Sequence, residues 1–155
     1  MIYFMSGVFG NMMSCIFLPD SIGVGSSGAV LGMLSSWIVW ITFRWKKIPD
    51  ESKMQRNCQM LMVSAAVIVT LATSFAKYVD FAAHFGGAFQ GLVWGVILLA
   101  DELDNIRNRL AIRITCFSLW LGSYIWAIHY LIHFWQPLDT RKIWANNDDW
   151  NRHGF

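Results

Sequence analysis

Ser27 and His84 are the two side chains of this 155-residue sequence whose types and placement point to chemistry. A serine hydroxyl is a weak nucleophile until a neutral imidazole within hydrogen-bond reach takes its proton; the pair can then carry out acyl transfer. Ser27 stands at the head of an apolar stretch that opens right after Gly25-Ser26. His84 lies four residues into another stretch that opens after Asp80, which places it about 6 Å deep at 1.5 Å of rise per helical residue. One apolar stretch separates the two, so helices built from them run parallel and start from the same side. Their first turns are level with each other, and a hydroxyl and an imidazole share that depth.

Shared depth becomes chemistry only if the two helices touch. The face carrying His84 continues through Gly87, Gly91 and Gly95, and the Ser27 stretch offers Gly28, Gly32 and then Ser35 or Ser36 on one stripe. Rows of small residues let helix backbones approach closely in lipid. The seam of Gly32, Gly87 and Gly91 is therefore expected to hold His84 against the helix that begins at Ser27. Ser26, just ahead of that helix, is a natural hydroxyl cap.

Other patterns carry less. Gly23-Val24-Gly25-Ser26-Ser27-Gly28 fits GxGxxG, but no strand precedes it and no βαβ unit surrounds it. The hydrolase elbow GxSxG is broken because Ala29 stands where its last glycine belongs. His129 and His133 share one helix face, yet no carboxylate lies in their stretch to complete a metal site; beside Trp126, Tyr130 and Trp135 they read as interfacial side chains. No metal site is expected.

The elements that must position these residues follow from composition. Hydrophobic side chains make up 55% of the chain and charged ones 14%, with nine Trp and eleven Phe. Soluble domains carry roughly 25% charged residues, so a soluble single-domain enzyme and a disordered chain are both excluded. A net charge of +2 is too small for a surface that tracks phosphates, and nucleic acid is not a partner. Cys15, Cys58 and Cys116 show no CxxC or His spacing and read as small apolar fillers.

A membrane-spanning helix needs about 20 mostly apolar residues. Five stretches qualify, at residues 1–18, 25–43, 58–76, 81–100 and 112–135. The fold class predicted is all-α: a polytopic membrane helix bundle of about five transmembrane helices. The membrane domain covers 1–135, and 136–155 form a polar tail on the non-cytoplasmic side. Orientation follows from the short loops, since basic residues stay in the cytoplasm. Arg44, Lys46, Lys47, Lys53, Arg56, Arg107, Arg109 and Arg113 lie on one side; the short loops on the other hold only Lys77, and the tail there carries Arg141, Lys142 and Arg152. Ser27 and His84 thus lie toward the non-cytoplasmic face. The chain opens directly inside an apolar stretch that carries Asn11, and reads as a helix whose upstream partners lie outside the sequence.

Together these residues resemble a known family. Tyr3-Phe4-Met5-Ser6-Gly7, Gly10-Asn11, Pro19 and Gly23-Val24-Gly25-Ser26-Ser27-Gly28-Ala29-Val30-Leu31-Gly32 resemble the third span, loop and fourth span of rhomboid intramembrane serine proteases. Asp80-Phe81-Ala82-Ala83-His84-Phe85-Gly86-Gly87, followed by Gly91, resembles the sixth span. The similarity covers residues 1–95.

The resemblance implies an intramembrane serine endopeptidase acting on transmembrane segments of other proteins within the lipid bilayer, with no cofactor. Ser27 would be the nucleophile and His84 the general base of a dyad with no third acid. Gly25 and Gly28 would support the oxyanion site beside the Ser27 backbone N–H. Leu31 stands where many members carry an aromatic ring under the histidine. The family's first two spans, the second bearing a His and an Asn that complete the oxyanion site, have no counterpart in these residues. The alternative is thus an impaired or inactive rhomboid-like fragment that binds transmembrane clients. A span after the His84 helix resembles members with an added C-terminal helix, which implies an endomembrane or cell-surface location rather than a mitochondrial one.

Overall fold

The computed structural model describes residues 1–19, 25–47, 49–76, 79–103 and 105–134, and the polar segment 136–155 lies outside the described residues. Among the described residues five α-helices follow one another: α1 (Ile2–Phe17), α2 (Ser27–Phe43), α3 (Lys53–Thr73), α4 (Phe81–Leu99) and α5 (Ile106–Phe134). Short 3₁₀ turns at Asp50–Ser52 and Ala100–Glu102 precede α3 and follow α4. Among the described residues there is no strand, and the chain is an all-helical membrane bundle.

The five helices differ in length. Among the described residues three helices are long and apolar enough to cross a bilayer: Lys53–Thr73, Phe81–Glu102 and Ile106–Phe134. The other two are shorter apolar helices, 16 residues for α1 and 17 for α2. Helices α3 and α5 start earlier than hydropathy placed them, at Lys53 and Ile106. Lys and Arg are good helix formers, so a helix continues out of its apolar stretch until turn chemistry stops it. Arg56 and Arg109 therefore belong to helices rather than loops.

Helix α4 is the axis of the bundle, with α1 and α2 against it and much more of its surface buried than that of α3 or α5. It starts where a side chain tells it to: the Asp80 carboxylate accepts the Ala83 N–H at 2.9 Å, satisfying one of the open donors of the first turn. Asp80→Ala is expected to cost about 1 kcal/mol through this lost cap, read as a lower thermal unfolding midpoint in detergent.

The packing of α4 is glycine against backbone. A Cβ on Gly87 would strike the Gly28 carbonyl oxygen, and one on Gly91 would strike that of Gly32. The Ala83 carbonyl, one residue before His84, is approached from two sides. A Cβ on Gly28 of α2 would come within 2.6 Å of its oxygen, and one on Gly10 of α1 within 2.7 Å. Close approach therefore involves three helices. Gly10 of α1 belongs to the seam as much as the glycines of α2 and α4, although its spacing alone does not single it out.

Polar ties complete the bundle. The buried Gln90 of α4 donates its amide N–H to Ser123 Oγ of α5 at 3.0 Å, and Tyr124 of α5 donates to the Met5 carbonyl of α1 at 3.0 Å. At the end rich in basic residues, Glu102 accepts from Arg44 at 2.7 Å and from Lys47 at 3.0 Å. Asp101 pairs there with Arg113 at 2.6 Å. The Arg56 guanidinium is buried, 3.9 Å from the centre of the Trp45 ring, and donates to the Trp45 carbonyl at 2.7 Å. Much of the basic charge at this end of the bundle thus clamps the ends of α2, α3, α4 and α5.

Candidate active site

Ser27 is the first residue of α2, and Gly25 prepares its entry. Gly25 has φ of 153°, a region that side chains rarely reach, and it turns the chain into the helix. Ser26 occupies the cap position, yet its side chain makes no cap hydrogen bond. The expected hydroxyl cap is not formed. The first turn of a helix leaves N–H groups without intrahelical partners and carries the positive end of the helix dipole. At α2 that donor-rich end lies around the exposed Ser27 and beside the buried Gly28.

His84 sits one turn into α4 and is buried, with 5% of its surface exposed. Its Nε2 lies 2.7 Å from Ser27 Oγ, a hydrogen bond across 57 residues of sequence. The glycine contacts place it there. Gly28, next to Ser27, presses against the Ala83 carbonyl, next to His84, so the two helix starts approach backbone to backbone.

The other ring nitrogen has a partner that motif reading did not find. Ser74, the C-terminal boundary residue of α3, places its Oγ 2.5 Å from His84 Nδ1 and is itself fully buried. Aromatic rings seat this end of α3 on α4: Phe75 stacks on Phe81 with ring centres 5.9 Å apart and meets Phe85 at 6.0 Å. A usable signal existed. The third apolar stretch ends on the side where the second and fourth begin, so Ser74 shares the depth of Ser27 and His84.

The remaining polar residues fall elsewhere. Asn11 is exposed on α1. His129 and His133 are exposed with ring centres 4.4 Å apart, and among the described residues no group of three metal-ligating side chains exists. Leu31 is buried one turn below Ser27 and packs with Val67 and Ala88, an aliphatic floor under the site. Gly32, Gly87 and Gly91 are buried along the contact between α2 and α4.

Chemically, an exposed hydroxyl bonded to a buried imidazole, at a helix end with open N–H donors, is equipped for nucleophilic attack on a carbonyl. Comparison with known proteins gives the setting. The model of the Rhomboid domain matches residues 1–101. RHOMBOID-like protein 6, mitochondrial, of Arabidopsis thaliana is 35% identical over 111 residues, covering 70% of this chain and 34% of the relative. Rhomboid-like protease 3 of Toxoplasma gondii is 31% identical over 90 residues, 58% of this chain and 33% of the relative. Inactive rhomboid protein 2 of Homo sapiens is 26% identical over 140 residues, 86% of this chain and 16% of the relative. The chain thus spans about a third of the length of the first two relatives and about a sixth of the third. With a domain match across most of its length, on an apolar bundle whose parallel α2 and α4 meet glycine to backbone, the chain is an integral, multi-pass member of the rhomboid family.

Proposed function

We propose that the protein is an intramembrane serine endopeptidase that cleaves transmembrane segments of other membrane proteins, with Ser27 as nucleophile and His84 as general base. The observation that carries this reading is the 2.7 Å contact between Ser27 Oγ and His84 Nε2. In the reaction, Ser27 Oγ attacks the peptide carbonyl carbon while His84 Nε2 takes its proton. The oxyanion that forms faces the open N–H groups at the start of α2, beside Ser27, Gly25 and Gly28. Collapse breaks the C–N bond, and the imidazolium returns its proton to the departing amine. Water then attacks the Ser27 ester with His84 again as base, the ester C–O bond breaks, and both chains are free. Ser27, His84 and water account for every proton and electron pair, so no cofactor enters.

Two features support a membrane-embedded substrate. Helix α2, with 17 residues, spans roughly 26 Å against a hydrocarbon core of about 30 Å. Arg44 lies over the Trp40 ring at 5.1 Å, an amphipathic pair suited to the membrane interface at the far end of α2. Anchored there, a short helix leaves Ser27 below the opposite surface. Helix α5 after the His84 helix supports an endomembrane or cell-surface location over the mitochondrion.

The human relative named inactive favours a second reading, a non-proteolytic protein that holds transmembrane clients. A fluorophosphonate probe separates the two. Labelling of wild-type protein that survives Ser26→Ala and vanishes in Ser27→Ala is the expected result. Absence of labelling in wild type, with single-span clients still co-purifying, selects the second reading.

A further inference from the structure

The contact between Ser74 and His84 has only one arrangement of protons in which every bond is attractive. Ser74 Oγ is 2.5 Å from the Thr70 carbonyl oxygen one turn back and 2.5 Å from His84 Nδ1. A hydroxyl has a single proton to give and otherwise accepts. The Thr70 carbonyl can only accept, so the Ser74 proton goes there. Ser74 Oγ must then accept from Nδ1, which therefore carries the ring proton. In the other tautomer the Ser74 proton would point at Nδ1. Two lone-pair oxygens, those of Ser74 and Thr70, would then face each other at 2.5 Å in a buried site. Burial makes such an unmatched contact costly.

We propose that Ser74 is a positioning residue: its hydroxyl, fixed by the Thr70 carbonyl, holds His84 in the Nδ1–H form and leaves Nε2 as the free base facing Ser27. This rests on the reading of Ser27 and His84 as the reacting pair. The ordered chain runs Ser27 O–H to Nε2, Nδ1–H to Ser74 Oγ, and Ser74 O–H to the Thr70 carbonyl. When Nε2 takes the Ser27 proton, the Nδ1–H bond to Ser74 persists and stays directed at an oxygen lone pair. A carboxylate commonly performs this task in serine hydrolases. Here a neutral hydroxyl performs it, and its orientation comes from the last turn of α3. Phe75, against Phe81 and Phe85, fixes that turn at the level of the imidazole.

The test uses the full-length protein reconstituted in liposomes with a single-span substrate. In Ser74→Ala, turnover is expected to fall about 10- to 100-fold, the size of one lost buried hydrogen bond to a reacting group. The substrate level giving half-maximal rate should not change, because Ser74 touches no substrate. Ser74→Thr keeps both the acceptor oxygen and the bond to the Thr70 carbonyl, and is expected to restore most of the lost rate.

Imidazole ¹⁵N NMR of selectively labelled His84 reads the tautomer directly. The Nδ1–H signature is expected in Ser27→Ala protein and should give way to Nε2–H when Ser74→Ala is added. A Ser74→Ala enzyme as fast as wild type, or an Nε2–H ring with Ser74 intact, overturns the proposal. If wild type and Ser27→Ala prove equally inactive, the protease reading fails, and the ¹⁵N signature still decides whether Ser74 sets the tautomer.

Discussion

His84→Gln is expected to lower cleavage of a reconstituted transmembrane substrate by about 10⁴-fold or more, the scale of losing a general base that acts as one unit with its nucleophile. Glutamine fills much of the same space at the start of α4 and leaves the Asp80 cap and the glycine contacts in place. The protein should therefore still fold, and its thermal midpoint in detergent checks that. The amide has no basic nitrogen, so Ser27 keeps its proton. Labelling by the fluorophosphonate probe should fall in step with cleavage, since both need the same activated hydroxyl. Cleavage that persists in His84→Gln at near wild-type rate would leave the 2.7 Å contact with no catalytic meaning.

The second large effect lies away from the reacting atoms. In Gly87→Ala the added Cβ meets the Gly28 carbonyl oxygen, with the Gly28 carbonyl carbon at 2.6 Å and Cα at 3.0 Å. All three atoms are backbone, so no flexible side chain can swing aside. Relief requires α2 and α4 to separate. Overpacking of this kind costs about 1–3 kcal/mol, which should appear as a lower unfolding midpoint. The consequence for the site is larger. Gly28 adjoins Ser27, and Gly87 lies one turn beyond His84, so the separation acts directly on the hydrogen bond between them. A misplacement of about 1 Å at reacting groups costs roughly 10²-fold in rate.

Gly122→Ala supplies the control. No atom lies within 4 Å of the Cβ it would gain, and the helix should be unaffected or stabilised by up to about 1 kcal/mol. Equal loss of activity in both glycine variants would refute the argument from close approach.

These expectations divide along what composition and spacing can report. Few charges, many aromatics and five apolar stretches already require a helical membrane bundle, because in lipid each spanning segment must satisfy its own backbone. Alternation of direction places the starts of the second and fourth stretches at one depth. Glycines recurring every four residues mark faces able to approach. Helix boundaries were less legible, since Lys53 and Ile106 begin helices inside stretches rich in charge, where hydropathy reports the solvent and not the backbone.

From the sequence alone, then, came the helices, their order and the level at which Ser27 and His84 lie; periodicity is a property of one helix at a time, and a chain crossing a slab must alternate. Only tertiary packing decided which atoms meet. Gly10 reaches the Ala83 carbonyl, α2 lacks its expected cap, and Ser74 holds the far side of the imidazole. Each depends on how helices are rotated about their own axes and how closely their backbones pass. Contacts among atoms far apart in the chain set those quantities, and no local pattern of residues encodes them.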